Sequence, residues 1–140
     1  MGRVIFRARV VDDRRGIVGQ VTVAGSVLTV WENYSLPMTN LSELRFSPSN
    51  SQAPAFWRGQ FKLASLGDTH LDMRGWGKGY VWVNGHNLGR YWRIGPQQCL
   101  FAPSAWLNRG SNQVVVLDLE PGGHRTLQGI KDAVWTTGVS

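Results

Sequence analysis

The chain has 140 residues, 42% of them hydrophobic, which is enough for one domain of ordinary size but too little for an eight-stranded α/β barrel of about 250 residues. Fifteen Lys and Arg residues against nine Asp and Glu residues give a formal charge of +6, which would suit a polyanionic partner. Because the arginines are scattered and several alternate with apolar residues, we interpret the charge as an ordinary basic surface or as faces that meet acidic neighbours. No nucleic-acid partner is expected.

The residues that most often bind metals or form disulfides are few and isolated. Cys99 is the only cysteine, which excludes an intrachain disulfide and a cysteine-based metal cluster. His70, His86 and His124 show no metal-ligand spacing, so no metal and no cofactor is expected. No stretch approaches the ~20 apolar residues of a membrane span, and the N-terminus lacks the apolar core of a signal peptide. The sequence therefore predicts no membrane partner and leaves the localisation open.

Short strands joined by tight turns are indicated by seventeen glycines, six prolines and the absence of a long 3.6-residue apolar period. Within residues 1–37 the pattern predicts three strands, at Arg3–Val11, Ile17–Val23 and Val27–Glu32. Three strands form a sheet but hardly a closed core, so we expect them to be incomplete on their own. Residues 38–54 are rich in Pro, Ser, Asn, Thr and Gln, and their prolines cannot continue a β-ladder. We interpret residues 38–54 as an inter-domain linker.

Residues 55–120 form a denser β region. Over Ala55–Leu63 apolar residues alternate with basic and polar ones, at the period of two that is expected when one strand face is buried. Because an antiparallel sheet must cover its apolar face with a second sheet, the region predicts an all-β antiparallel sandwich or jelly roll. Residues 121–140 are predicted to be a tail with an edge strand. The remaining predictions are strands at Thr69–Met73, Gly79–Val83, Gln98–Ala102, Gln113–Leu119 and Ile130–Trp135, and a helical turn at 103–107.

The segment Gly75–Trp92 contains the strongest hairpin signal in the chain. Tyr80 to Val83 are aromatic and β-branched, and Asn84-Gly85 follows them, two residues that tolerate the positive φ angles of a type I′ turn. The predicted return arm, His86–Gly89, is short. Gly89 is expected to let the backbone bend away before Arg90.

Aromatic and polar side chains concentrate in this hairpin, and they have two interpretations. Flat aromatic faces beside amide, imidazole and guanidinium groups could form a carbohydrate-binding platform. Tryptophans at alternating strand positions are more often core, and an arginine beside Tyr and Trp often stacks at a domain interface, so we favour a core or interface role. The candidate carbohydrate-site or interface residues are Trp76, Trp82, Asn84, His86, Asn87, Arg90, Tyr91 and Trp92.

An ordered series of motifs resembles the C-terminal β-domain of family 35 β-galactosidases. The series comprises Pro54–Phe61, Gly75–Gly79, Val81–Gly85, Asn87–Trp92, Gly95–Gln98, Leu100–Pro103 and Asn112–Glu120. Upstream, Gly16–Val21 with Trp31 and Leu36-Pro37 is similar to the end of the β-domain that precedes it. The resemblance implies a galactose-binding-like jelly roll over residues 55–120, preceded by strands of another β-domain, beside a catalytic barrel that removes terminal β-galactosyl residues.

The resemblance also implies that catalysis lies elsewhere. In such enzymes the acid/base and the nucleophile are two glutamates on the barrel, and no position of this chain matches them. Retaining hydrolysis requires two carboxyl groups about 5 Å apart. The three glutamates, Glu32, Glu43 and Glu120, lie in different parts of the predicted fold. We therefore predict no catalytic residue, and expect this chain alone to be inactive.

Three functions stay open from the sequence. The first is an accessory, structural module whose partners are the catalytic barrel and the preceding β-domain of a β-galactosidase. The second is a carbohydrate-binding module that recognises galactosides. The third is a free-standing protein that binds a polyanion. The incomplete strands in residues 1–37 favour the first, and they also predict that the isolated chain exposes apolar area or associates with itself.

Overall fold

The computed structural model describes residues 17–48, 54–120 and 124–135, in a chain that divides into two compact units, Met1–Met38 and Thr39–Ser140. The described part of the first unit contains the antiparallel hairpin of β1 (Thr22–Val23) and β2 (Ser26–Val27). These strands are shorter than predicted, because the ladder contains only two residue pairs among the described residues and a strand requires a paired neighbour. The strand predicted at Arg3–Val11 lies outside the described residues.

The described part of the second unit is all β apart from two single 3-10 turns, at Leu41–Glu43 and Ser104–Trp106. The second turn confirms the predicted helical turn. No helix among the described residues is long and apolar enough to cross a membrane. The strands are β3 (Ala55–Leu63), β4 (Thr69–Asp72), β5 (Lys78–Val83), β6 (His86–Trp92), β7 (Cys99–Ala102), β8 (Gly110–Asp118) and β9 (Gln128–Ile130).

These strands form two antiparallel sheets that confirm the predicted sandwich. One sheet has four strands in the order β3-β8-β5-β6, and the other has three in the order β7-β4-β9. From Trp57 onward the predicted alternation is the burial pattern of β3, because Trp57, Phe61 and Leu63 pack against the core between the sheets. The buried core consists of Leu71, Met73, Trp76, Val81, Val83, Tyr91, Leu100, Ala102, Leu107, Val114 and Val116.

β6 differs from the prediction, since it continues to Trp92 instead of bending away at Gly89. Val81 pairs with Gly89 whereas Trp82 pairs with Asn87, so Leu88 is an extra residue in β6. Gly89 adopts a φ of 113°, which only glycine adopts without strain. The positive φ is therefore used in a β-bulge, and the pairing of β6 with β5 continues beyond the bulge to Trp92 opposite Lys78.

The last edge strand also differs from the prediction. It lies at Gln128–Ile130 instead of Ile130–Trp135, and it pairs with β4 through His70, Leu71 and Asp72. The prediction rests on composition alone, which favours the apolar cluster from Ile130 to Trp135. The position is set by the ladder with β4, and by Leu127, which packs against the core just before the strand begins.

Candidate functional site

The two faces of the β5–β6 hairpin separate the residues that the sequence grouped together. Strand alternation places Val81 and Tyr91 in the core between the two sheets. The opposite face of the four-stranded sheet, which we call the outer face, carries Trp82 opposite Asn87 and Trp92 opposite Lys78. The eight candidate residues therefore lie in three places: the core, the outer face and the turn end of the hairpin.

Trp76 and Tyr91 belong to the core. Trp76 is 5% exposed, and its indole Nε1 donates a hydrogen bond of 2.9 Å to the carbonyl oxygen of Thr126. Tyr91 is fully buried, with its hydroxyl 3.1 Å from Asp118 Oδ1 and 3.2 Å from the carbonyl oxygen of Leu117. Burial, together with the neighbouring carboxylate, raises the pKa of the Tyr91 hydroxyl far above its usual value. The phenol is therefore a neutral donor inside the sandwich.

The ring faces of the outer-face tryptophans are already covered. Trp82 is 3% exposed and contacts Phe56 and Tyr80, at ring-centroid distances of 6.3 and 6.2 Å. Trp92 is half-buried, and Lys78 Nζ lies 4.6 Å from the centroid of its ring. Arg90 lies on the same ring, with Cζ at 5.6 Å. Cations attracted by the negative faces of an aromatic ring occupy the surface on which a sugar would stack.

Asn84 organises the turn end of the hairpin. It adopts a φ of 50° and Gly85 a φ of 85°, which confirms the predicted turn with two positive φ angles. Its Nδ2 donates to the carbonyl oxygen of Trp106 and to Asn112 Oδ1, both at 2.8 Å. Its Oδ1 accepts a hydrogen bond of 2.9 Å from the backbone N–H of Gln113. The amide group thus ties the hairpin to β8 and to the 3-10 turn, with its hydrogen-bonding groups engaged inside the protein.

The remaining candidates, His86 and Asn87, are exposed and contact their own neighbourhood. The His86 ring stacks on Trp106 with a centroid distance of 4.9 Å and an interplanar angle of 8°. Asn87 Oδ1 accepts a hydrogen bond of 2.7 Å from the backbone N–H of Gly89, which stabilises the bulge. These contacts connect both side chains to the structure of the hairpin.

A polar groove that the sequence does not predict lies beside β4 and β9. The buried carboxylate of Asp72 accepts hydrogen bonds from Arg74 Nε at 2.9 Å and from Arg74 Nη2 at 2.6 Å. These hydrogen bonds lower the pKa of Asp72 to about 2, and Gln128 Nε2 approaches the same carboxylate at 3.4 Å. The groove has a volume of about 460 Å³ and is lined by Asp72, Arg74, Gly75, Thr126, Leu127 and Gln128.

The spacing of Asp72 and Arg74 was visible in the sequence, but the groove was not. Gln128 and Thr126 reach it from a segment more than 50 residues away, and only the pairing of β9 with β4 brings them there. Among the described residues, no three His, Cys, Asp or Glu side chains come together as metal ligands would.

The chain is similar to known proteins along most of its length. Residues 54–112 match the model of the family described as beta-galactosidase, galactose-binding domain. Beta-galactosidase-1-like protein 2 of Homo sapiens is 40% identical over 125 residues, which cover 84% of this chain and 20% of that protein. Beta-galactosidase of Xanthomonas manihotis is 43% identical over 101 residues, covering 71% of this chain and 17% of that protein.

A third relative extends the match over almost the whole chain. Beta-galactosidase 17 of Arabidopsis thaliana is 34% identical over 161 aligned residues, covering 99% of this chain and 23% of that protein. The chain spans about a fifth of the length of these three relatives.

Proposed function

We propose that this chain is a non-catalytic accessory module of a β-galactosidase-like glycoside hydrolase, because residues 54–112 match the family model described as beta-galactosidase, galactose-binding domain. Its role is to support the larger enzyme by packing against the catalytic barrel and the preceding β-domain. The relatives whose names include beta-galactosidase are about four times as long as this chain, and their remaining length leaves ample room for a barrel of about 250 residues.

One observation carries this proposal: the rings of the tryptophans in Gly75–Trp92 are buried or in contact with other side chains of the module itself. Trp76 and Trp82 are buried, and Trp92 lies under two cations. A carbohydrate platform needs an open ring face with polar groups beside it. The contacts support a role in folding and packing for this cluster, in place of sugar recognition.

Three carboxylates of the second unit favour a non-catalytic role as well. Asp72 is held by Arg74, and Asp68 Oδ1 accepts a hydrogen bond of 2.7 Å from the backbone N–H of Ser104. Asp118 is fully buried beside Tyr91. A glycosidase needs an exposed pair of carboxyl groups that act on opposite sides of the scissile bond. These three side chains act as structural hydrogen-bond acceptors instead.

Galactoside binding is a second candidate, favoured by the polar groove beside β4 and β9. The groove combines a carboxylate, a guanidinium that is 50% exposed and the exposed carboxamide of Gln128. Such groups can bridge neighbouring sugar hydroxyls. The groove lacks an aromatic wall among its lining residues, which is why we rank this candidate second.

A sugar titration of the isotope-labelled chain separates the two candidates. We expect no saturable shift of the Trp92 indole N–H signal with galactose or lactose at tens of millimolar, because the ring is already covered. Saturable shifts confined to Gly75, Thr126 and Gln128, and lost in Arg74→Ala, would support the second candidate. Saturable shifts at Trp92, lost in a folded Trp92→Ala variant, would contradict the structural role proposed for the hairpin.

A further inference from the structure

The outer face of the four-stranded sheet carries charge of a single sign. Strand alternation places Arg58 and Lys62 of β3, Lys78 of β5 and Arg90 of β6 on this face. None of the outward positions of these strands holds an Asp or Glu, and the one acidic residue in them, Asp118, is buried on the side of Tyr91. The outer face is therefore a basic surface.

The centre of the same face is apolar. Trp82, Val115 and Leu117 are buried at its base, although they lie outside the core between the two sheets. Above them Phe56 and Tyr80 stay half-buried, and both pair with Leu117 across the ladder. Half-buried aromatic side chains at the centre of a surface are typical of a protein interface.

The cations lie around this centre and are held there by aromatic rings. Lys78 and Arg90 lie over Trp92, and Arg58 Cζ lies 4.4 Å from the ring centroid of Phe46. These contacts hold the charged ends of the long side chains against the aromatic rings. Less side-chain freedom is then lost when these groups meet a partner.

We propose that this basic–aromatic face docks onto an acidic protein surface in the remainder of the larger enzyme; the proposal rests on the accessory function above. The face is defined by Phe56, Arg58, Lys78, Tyr80, Arg90 and Trp92. An apolar centre with a basic rim complements a partner that has an apolar patch bordered by Asp and Glu side chains. In the three strands of the opposite sheet the one Asp, Glu, Lys or Arg residue is Asp72, and Arg74 forms an ion pair with it.

A protein surface suits this face better than a nucleic acid does. Nucleic-acid binding draws its affinity from cations that follow the phosphate backbone. Here the cations surround aromatic side chains, and two of them share one ring. The arrangement matches an interface whose centre excludes water and whose rim sets orientation.

The test uses Xanthomonas manihotis beta-galactosidase with its matching segment replaced by this chain. We measure the half-time of heat inactivation, with a chromogenic β-galactoside as substrate. The double change Lys78→Glu and Arg90→Glu is expected to shorten the half-time about tenfold, because it places like charges across the interface. Lys78→Met and Arg90→Met, which keep the alkyl packing on Trp92, are expected to produce part of this loss.

Two controls separate docking from the internal stability of the module. Arg109→Glu with Lys131→Glu makes the same change in charge at exposed positions outside this face, and is expected to leave the half-time unchanged within about twofold. The melting temperature of each isolated variant chain is measured in parallel. The proposal requires that Lys78→Glu with Arg90→Glu lowers it by less than about 2 °C.

Three results would overturn the inference. One is an unchanged half-time for the Lys78→Glu and Arg90→Glu pair, and another is a loss of stability in the isolated chain that accounts for the whole effect. The third is binding of the unaltered chain to a single-stranded DNA oligonucleotide at physiological salt that this pair abolishes. The accessory function fails separately, if the unaltered chimera survives heating no longer than the relative with its matching segment deleted.

Discussion

At the scale of single residues, positions 77 and 79 require glycine, because the backbone of another segment lies too close to leave room for a side chain. A Cβ atom at Gly79 would lie 1.8 Å from the carbonyl oxygen of Leu117, and one at Gly77 would lie 1.8 Å from that of Glu120. The glycines are visible in the sequence, but the reason for them is not, because it lies about 40 residues away. The buried Tyr91 beside Asp118 was equally hidden, since an aromatic side chain at a strand position fits a core and a binding surface alike.

Gly79→Ala is expected to destabilise the module by more than about 3 kcal/mol, because the backbone of β5 or β8 must move to accept the methyl group. Gly67→Ala is the matched control, since nothing lies within 4 Å of its Cβ position, and we expect a change of less than about 1 kcal/mol. Urea unfolding followed by tryptophan fluorescence measures both. Similar unfolding midpoints for the two variants would contradict the close approach of the β5 and β8 backbones at Gly79.

At the scale of elements, strand alternation and the Asn84-Gly85 turn were readable because both are local properties. The prediction for β3 has the same bounds as the strand itself. The bulge at Gly89 and the position of β9 depend on how distant strands pair, and composition cannot specify that register. The same limit explains why the sequence grouped eight hairpin residues that alternation then divides between core, outer face and turn.

The ion pair of Asp72 and Arg74 fixes the end of β4, and it predicts a pH dependence of stability. The pKa of Asp72 is lowered to about 2 in the folded chain, below its ordinary value of about 3.9 when unfolded. The stabilisation is therefore fully present above pH ~4 and is lost as the pH falls toward about 2.

Asp72→Asn is expected to lower the free energy of unfolding by about 2 kcal/mol at pH 7. The difference from the unaltered chain is expected to shrink between about pH 4 and pH 2, where the carboxylate takes up its proton. Urea unfolding curves of both proteins across this range measure it. A difference that stays constant from about pH 4 to about pH 2 would contradict the role given to the ion pair.

At the scale of the whole molecule, the fold class was predictable from the order of motifs, whereas the use of each surface was not. Many short strands with turn residues between them specify a sandwich, and the core that results confirms it. Which face meets a neighbour depends on charges gathered from β3, β5 and β6, which are scattered in the chain. The net charge of +6 predicts a basic surface. The fold brings Arg58, Lys78 and Arg90 together on the outer face, where the charged residues of the strands are all basic.

We propose that this module supports a larger glycoside hydrolase without taking part in catalysis. Heat inactivation of Xanthomonas manihotis beta-galactosidase tests the supporting role in two forms of that enzyme: one with its matching segment deleted, and one with that segment replaced by this chain. We predict that the chimera keeps its β-galactosidase activity several-fold longer than the deleted form, because the sandwich restores a buried interface. Equal half-times for the two forms would contradict the claim.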